Sequence, residues 1–140
     1  MLDSLGIKAK KAAGILTTAD TEIKNKALLA IGKALVDCAD VIINANHIDI
    51  ENGKKNGLNA GLIDRLMLDG DRRKCIAVGC AQVAALEDPC GRVLETVERP
   101  NGLVIKKVSC PMGVIGIIYE ARPNVTADAA ALCLKSGNAV

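Results

Sequence analysis

The residues best placed to do chemistry lie in one short turn, Glu120-Ala121-Arg122-Pro123-Asn124. It follows the apolar run Val114–Tyr119 and precedes a helical pattern. In open α/β sheets ligands bind at the carboxyl ends of strands, and helix N-terminal amides attract anions. Arg122 could hold a carboxylate or phosphate, and Asn124 could donate a hydrogen bond to a developing oxyanion. A purely structural reading stands beside this one: Asn124 capping its helix and Arg122 pairing with Glu120.

Other chemistries find less support. Six cysteines stand at 38, 75, 80, 90, 110 and 133, with no Cys-x-x-Cys pair and only His47 to join them. That spacing argues against a zinc site or a disulfide framework and for reduced, buried thiols in a cytoplasmic protein. A nucleophilic cysteine needs a base, a cation or a helix N-terminus, and none of the six has an evident one. Cys38 and Cys80 fall on apolar stripes, Cys133 late in a helix. Gly113-Val114-Ile115-Gly116 is not a dinucleotide fingerprint, because its glycines open the strand instead of following it. The basic clusters Lys8–Lys11 and Arg72–Lys74 are short and lack interleaved aromatics, so they read as solvated helix faces and not as a nucleic-acid site. No N-terminal leader is evident, and the apolar run Val114–Tyr119 is too short to span a bilayer.

The elements that position the turn follow from periodicity. Within 140 residues of net charge +2, half are apolar and only Tyr119 is aromatic, so the core is built from Leu, Ile, Val, Ala and Cys. Residues 2–16 carry a helical pattern. Thr17–Asp20 offers N-caps to a long helix over about 20–51, broken near Asp40, with Ile23, Ala27, Ile31, Ala34 and Leu35 on its apolar face. His47 lies on its polar side. Glu51–Gly57 stops it, a short helix spans about 59–67, and Asp71 caps another that ends before Asp88-Pro89.

From Cys90 the pattern turns to strand. Residues 92–98 and 103–109 flank Arg99-Pro100-Asn101-Gly102 as a partly exposed β-hairpin, an edge suited to assembly. Val114–Tyr119 reads as a parallel strand buried on both faces. Pro123 makes Arg122 extended, Asn124 or Thr126 caps the next helix, and Ala127, Ala130, Ala131 and Leu134 face the sheet. Gly137 ends that helix, and Ala139-Val140 begin a further strand. The pattern describes a βαβ unit cut short, hence part of a larger α/β protein. The alternative is a small α+β module with a simple tail.

Several stretches, "YEARPNVT" with "ALCLKSGNAV" above all, then "RLMLDGDRR", "EDPCGRV" and "RPNGLVIKKV", resemble the gamma-glutamyl phosphate reductase family, also called glutamate-5-semialdehyde dehydrogenases. The resemblance covers essentially the whole chain. It implies an aldehyde dehydrogenase-like fold of which this is the N-terminal part: a helical lead-in (1–89), a hairpin and possible oligomerisation element (90–110), and the first strand–helix unit of a parallel Rossmann-like cofactor sheet (111–140). It implies NADPH-dependent reduction of L-glutamyl 5-phosphate to L-glutamate 5-semialdehyde in proline biosynthesis, through a thioacyl enzyme, in a homo-oligomer. By the same resemblance Ile118, Tyr119, Glu120 and Ala121 line the nicotinamide side of the cofactor cleft, and Arg122 and Asn124 flank the active site. Either could be the oxyanion donor. The family's catalytic cysteine belongs to a later domain, outside this sequence, so this chain alone is expected to be inactive. Two rivals are another acyl-reducing aldehyde dehydrogenase relative and a non-catalytic module that pairs with a partner.

Overall fold

The computed structural model describes residues 2–120 and 122–140. Five helices come first: α1 (Leu2–Leu16), α2 (Thr21–Asp37), α3 (Ala39–Lys55), α4 (Ala60–Leu66) and α5 (Gly70–Ala85). Strands β1 (Val93–Glu98) and β2 (Val104–Val108) follow, then helix α6 (Pro123–Lys135).

Local signals set most boundaries. The Asp20 carboxylate accepts the amide of Ile23 at 2.7 Å and starts α2. Cys38 separates α2 from α3, so the break predicted near Asp40 comes two residues earlier and leaves Cys38 exposed, off any apolar stripe. Asn59 caps α4. The cap of α5 is Asp69, not Asp71, because Asp69 reaches the Arg72 amide at 2.7 Å. β1 and β2 pair antiparallel with Val97 opposite Ile105, and a bulge falls at Leu94. Their turn closes by Gly102 N–H donating to Arg99 O, with Gly102 at φ +83° as the left-handed residue.

The core lies between α2, α5 and α6. Leu28, Cys80, Ala84 and Ala131 are buried together, with Ile31, Leu35, Val83 and Leu134 packed around them. Gly32 brings α2 close to α5: a Cβ there would stand 3.1 Å from the Ala77 carbonyl oxygen. The buried face of α2 is Lys24, Leu28 and Gly32, rotated from the predicted stripe, and Ile23 is exposed. A lysine on the inner face breaks the hydrophobic pattern yet fixes the rotation, because its ammonium meets the Asp88 carboxylate at 2.5 Å. Leu2, Leu5, Ile7 and Ile15 of α1 are likewise exposed, and Ala13 is that helix's buried residue.

The parallel unit is present in miniature. Val114 bridges Ala139 in parallel, with Ile115 N–H donating to Ala139 O at 2.8 Å and Ala139 N–H to Gly113 O at 2.9 Å. The expected strand over 114–119 does not extend beyond this bridge, since only the residues around Ala139 offer it a ladder. α6 therefore packs on α2 and α5 instead of on a sheet. Gly137, at φ +71°, ends α6 as expected. A side chain there would also meet Pro111 Cγ at 2.7 Å.

Asp88 holds the helices to the loop before the hairpin. Burial opposes its ionisation, but hydrogen bonds from Lys24, Thr21 and the Cys90 amide outweigh that and hold its carboxyl well below the usual carboxylate range. A depressed folded-state pKa contributes stability that is complete above the unfolded value and fades as the pH falls through the folded one. Asp88→Asn should therefore cost about 3 kcal/mol at pH 7, as for a buried ion pair broken on one side. Urea melts should show the gap between wild type and variant shrinking below about pH 4. A gap unchanged at pH 3 would contradict the assignment.

Candidate active-site groove

The predicted turn opens onto a groove of about 670 Å³. That volume falls in the range of small-molecule sites. One wall is Arg122, Pro123, Asn124 and Asp128, from the start of α6. The facing wall comes from α4, the α4–α5 loop and the first turns of α5, and carries Asp64, Arg65, Asp69, Asp71 and Arg72.

Each wall is held from behind. Arg122 is extended (φ −141°, ψ 86°), as a residue before proline must be, and Pro123 is the first residue of α6. Asn124 does not cap the helix. It lies inside the first turn, and its amide donates to the Asp128 carboxylate at 3.0 Å. On the facing side the buried Asn46 clamps the end of α4: its Nδ2 donates to Leu66 O at 2.8 Å, and its Oδ1 accepts from Leu68 N–H at 2.7 Å. Arg72 donates to Asp64 O and Met67 O at 2.5 and 3.0 Å and pairs with the Asp64 carboxylate at 3.0 Å.

The groove unites Arg122 and Asn124 but not the other predicted residues. Ile118, Tyr119 and Glu120 lie outside it and are exposed. The Tyr119 hydroxyl hydrogen-bonds the Thr126 hydroxyl, which ties the approach segment to α6. Ala121 lies outside the described residues. Arg122 forms no ion pair with Glu120. The facing wall escaped prediction, because nothing in local spacing links residues 64–72 to residue 122. His47 is exposed on α3, away from the groove. No group of three or more metal-ligating side chains converges among the described residues, and no described helix is long and apolar enough to cross a membrane.

The thiols divide by burial. Burial pushes the Cys80, Cys90 and Cys133 thiols up; the Asp128 carboxylate adds to the effect at Cys80, and Lys24 opposes it at Cys90. Cys38, Cys75 and Cys110 are exposed.

A helical bundle joined through a hairpin to a parallel βα unit, with a groove at that unit's turn, is a portion of an aldehyde dehydrogenase-like α/β fold. Its backbone superposes on gamma-glutamyl phosphate reductase from Thermotoga maritima with a TM-score of 0.91 at 42% identity, over 94% of this chain and 32% of that one. For the enzyme from Saccharomyces cerevisiae the TM-score is 0.87 at 40% identity, over 93% and 33%. Among curated relatives, gamma-glutamyl phosphate reductases of Brucella anthropi and Desulforamulus reducens are 51% and 55% identical over 100% and 98% of this chain. No family model matches. The chain is thus a homologue of the gamma-glutamyl phosphate reductases, and it spans about a third of the length of the curated relatives it matches.

Iodoacetamide at pH 7 should modify Cys38, Cys75 and Cys110 of the native protein and spare Cys80, Cys90 and Cys133, because the thiolate is the reacting form and access limits it. Peptide mass mapping reads the pattern. Early labelling of Cys133 would show that α6 does not pack as described.

Proposed function

We propose that this chain is the N-terminal part of the cofactor-binding domain of a cytoplasmic reductase that converts L-glutamyl 5-phosphate to L-glutamate 5-semialdehyde. The observation that carries the reading is agreement in sequence and backbone with gamma-glutamyl phosphate reductases along nearly the whole chain. The overall change is a two-electron reduction: the acyl carbon loses its bond to phosphate and gains hydride, and inorganic phosphate leaves. NADPH, when bound, supplies the hydride.

The residues present fit the nicotinamide side of such a cofactor. Ile118 is fully exposed and Tyr119 is fixed through Thr126, so the segment offers an apolar surface beside the turn. The chain has no Gly-rich turn for the pyrophosphate. Arg122 is the group best suited to the reacting end of the substrate. Its guanidinium has no side-chain or backbone partner among the described residues and stands at a helix N-terminus, where an anion gains from both. Asn124 is occupied by Asp128 and holds the turn. In this reading the acyl-transferring thiol lies in a later domain, as the family resemblance implies, and burial disfavours the thiolate at Cys80, Cys90 and Cys133.

The hairpin is the assembly element of this reading. Val93, Leu94, Leu103, Val104 and Ile105 are exposed along it, an apolar edge that a second copy of the enzyme would cover.

The test is the reverse assay on the full-length enzyme carrying this segment: phosphate-dependent reduction of NADP⁺ by glutamate 5-semialdehyde. Turnover that ignores phosphate would overturn the reading. Arg122→Gln should lower kcat/KM about 100-fold or more, the scale of losing a charge-stabilising donor. Asn124→Ala should cost less, about 10-fold, through loosening of the turn.

A further inference from the structure

The charged side chains of the groove fall into two groups. The carboxylates are all engaged: Asp64 with Arg72, Asp69 with the Arg72 amide, Asp71 with Lys74, and Asp128 with Asn124. Arg72 is spent on the α4–α5 loop. Two cations are left without a protein partner among the described residues, Arg122 on one wall and Arg65 on the other. A groove with a free guanidinium on each wall suits an elongated ligand that is anionic at both ends.

Resting on the reductase reading of this site, we infer that Arg65 is the residue that recognises the substrate's α-carboxylate. A glutamyl phosphate has its acyl phosphate at one end and its α-carboxylate at the other, separated by a flexible methylene chain. Arg122, at the turn where reduction occurs, takes the phosphate end. Arg65 then meets the amino-acid end. The backbone around Arg65 is built for this. Asn46, buried to about 5% exposure, holds the Leu66 carbonyl, and Arg72 holds those of Asp64 and Met67. Residue 65 is thus fixed between three pinned carbonyls while its own side chain stays exposed and unpaired. Such fixing lowers the ordering cost of binding.

Arg65→Gln keeps a polar side chain of similar helix propensity, shorter than arginine, and removes its charge. In the full-length enzyme, assayed from semialdehyde, phosphate and NADP⁺, it should raise KM for glutamate 5-semialdehyde about 10- to 100-fold, the scale of one charge-assisted hydrogen-bonded pair. The kcat and the KM for phosphate should change less than about 3-fold, as for lost uniform binding. Arg65→Lys should recover part of the loss. Butanal, which lacks the carboxylate, should be used equally poorly by wild type and variant. An unchanged semialdehyde KM in Arg65→Gln, with an active wild type, would overturn the inference and leave the reductase reading standing. A wild type without phosphate-dependent turnover would overturn that reading instead. Calorimetry with L-glutamate then decides Arg65 by itself: binding lost in Arg65→Gln supports it, and equal or absent binding in both proteins overturns it.

Discussion

The fold depends on how it houses three buried cations. Lys24, Arg73 and Lys135 are each less than a tenth exposed, in a core of Leu, Ala and Cys. An ammonium or guanidinium taken out of water is costly unless it is hydrogen-bonded. Each finds a partner, although Arg73 Nε is left without one among the described residues, and two of the three use the same device. Arg73 donates to Leu35 O at 2.9 Å, near the end of α2, and Lys135 donates to Ala84 O at 2.9 Å, near the end of α5. Helix C-termini carry unpaired carbonyls and partial negative charge, so a buried cation satisfies both parties. Lys24 alone takes a carboxylate, Asp88.

This arrangement compensates for a poor supply of large apolar side chains. With a single aromatic residue, the core relies on small groups that let helices approach closely, Gly32 against Ala77 being the clearest instance. Small residues bury little area each, so orientation is weakly determined by area alone. The cations supply what is missing: each of α2, α5 and α6 is tied to another at one atom. The groove gains from it, since its two walls belong to α5 with its preceding loop and to α6.

What the sequence made legible was local. Asp20 as a cap, Gly137 as a stop, the Arg99–Gly102 turn and the helices over 2–16 and about 59–67 rest on interactions within a few residues, and they stand in the structure. Errors arose where distant partners decided. Apolar periodicity places the α2 stripe through Ile23, whereas Lys24 turns inward to meet Asp88, a partner 64 residues away in sequence. Arg73 reads as a solvated charge in the sequence, but the end of α2 lies over it and takes its hydrogen bond. α6 was expected against a sheet, but α2 and α5 cover it. At the groove, Arg122 and Asn124 were visible from strand–turn–helix order, whereas Arg65 became visible only once α4 was seen across from the turn.

Lys135 has one further consequence, for the order of events on the ribosome. Its ammonium joins Asn25, near the start of α2, to Ala84, near the end of α5. Ala131, one turn before it, belongs to the same buried cluster as Leu28 and Cys80. While α6 is still within the exit tunnel, α2 and α5 can pair but their shared apolar seam stays open. The final turn of α6 is therefore the latch that closes the seam between α2 and α5.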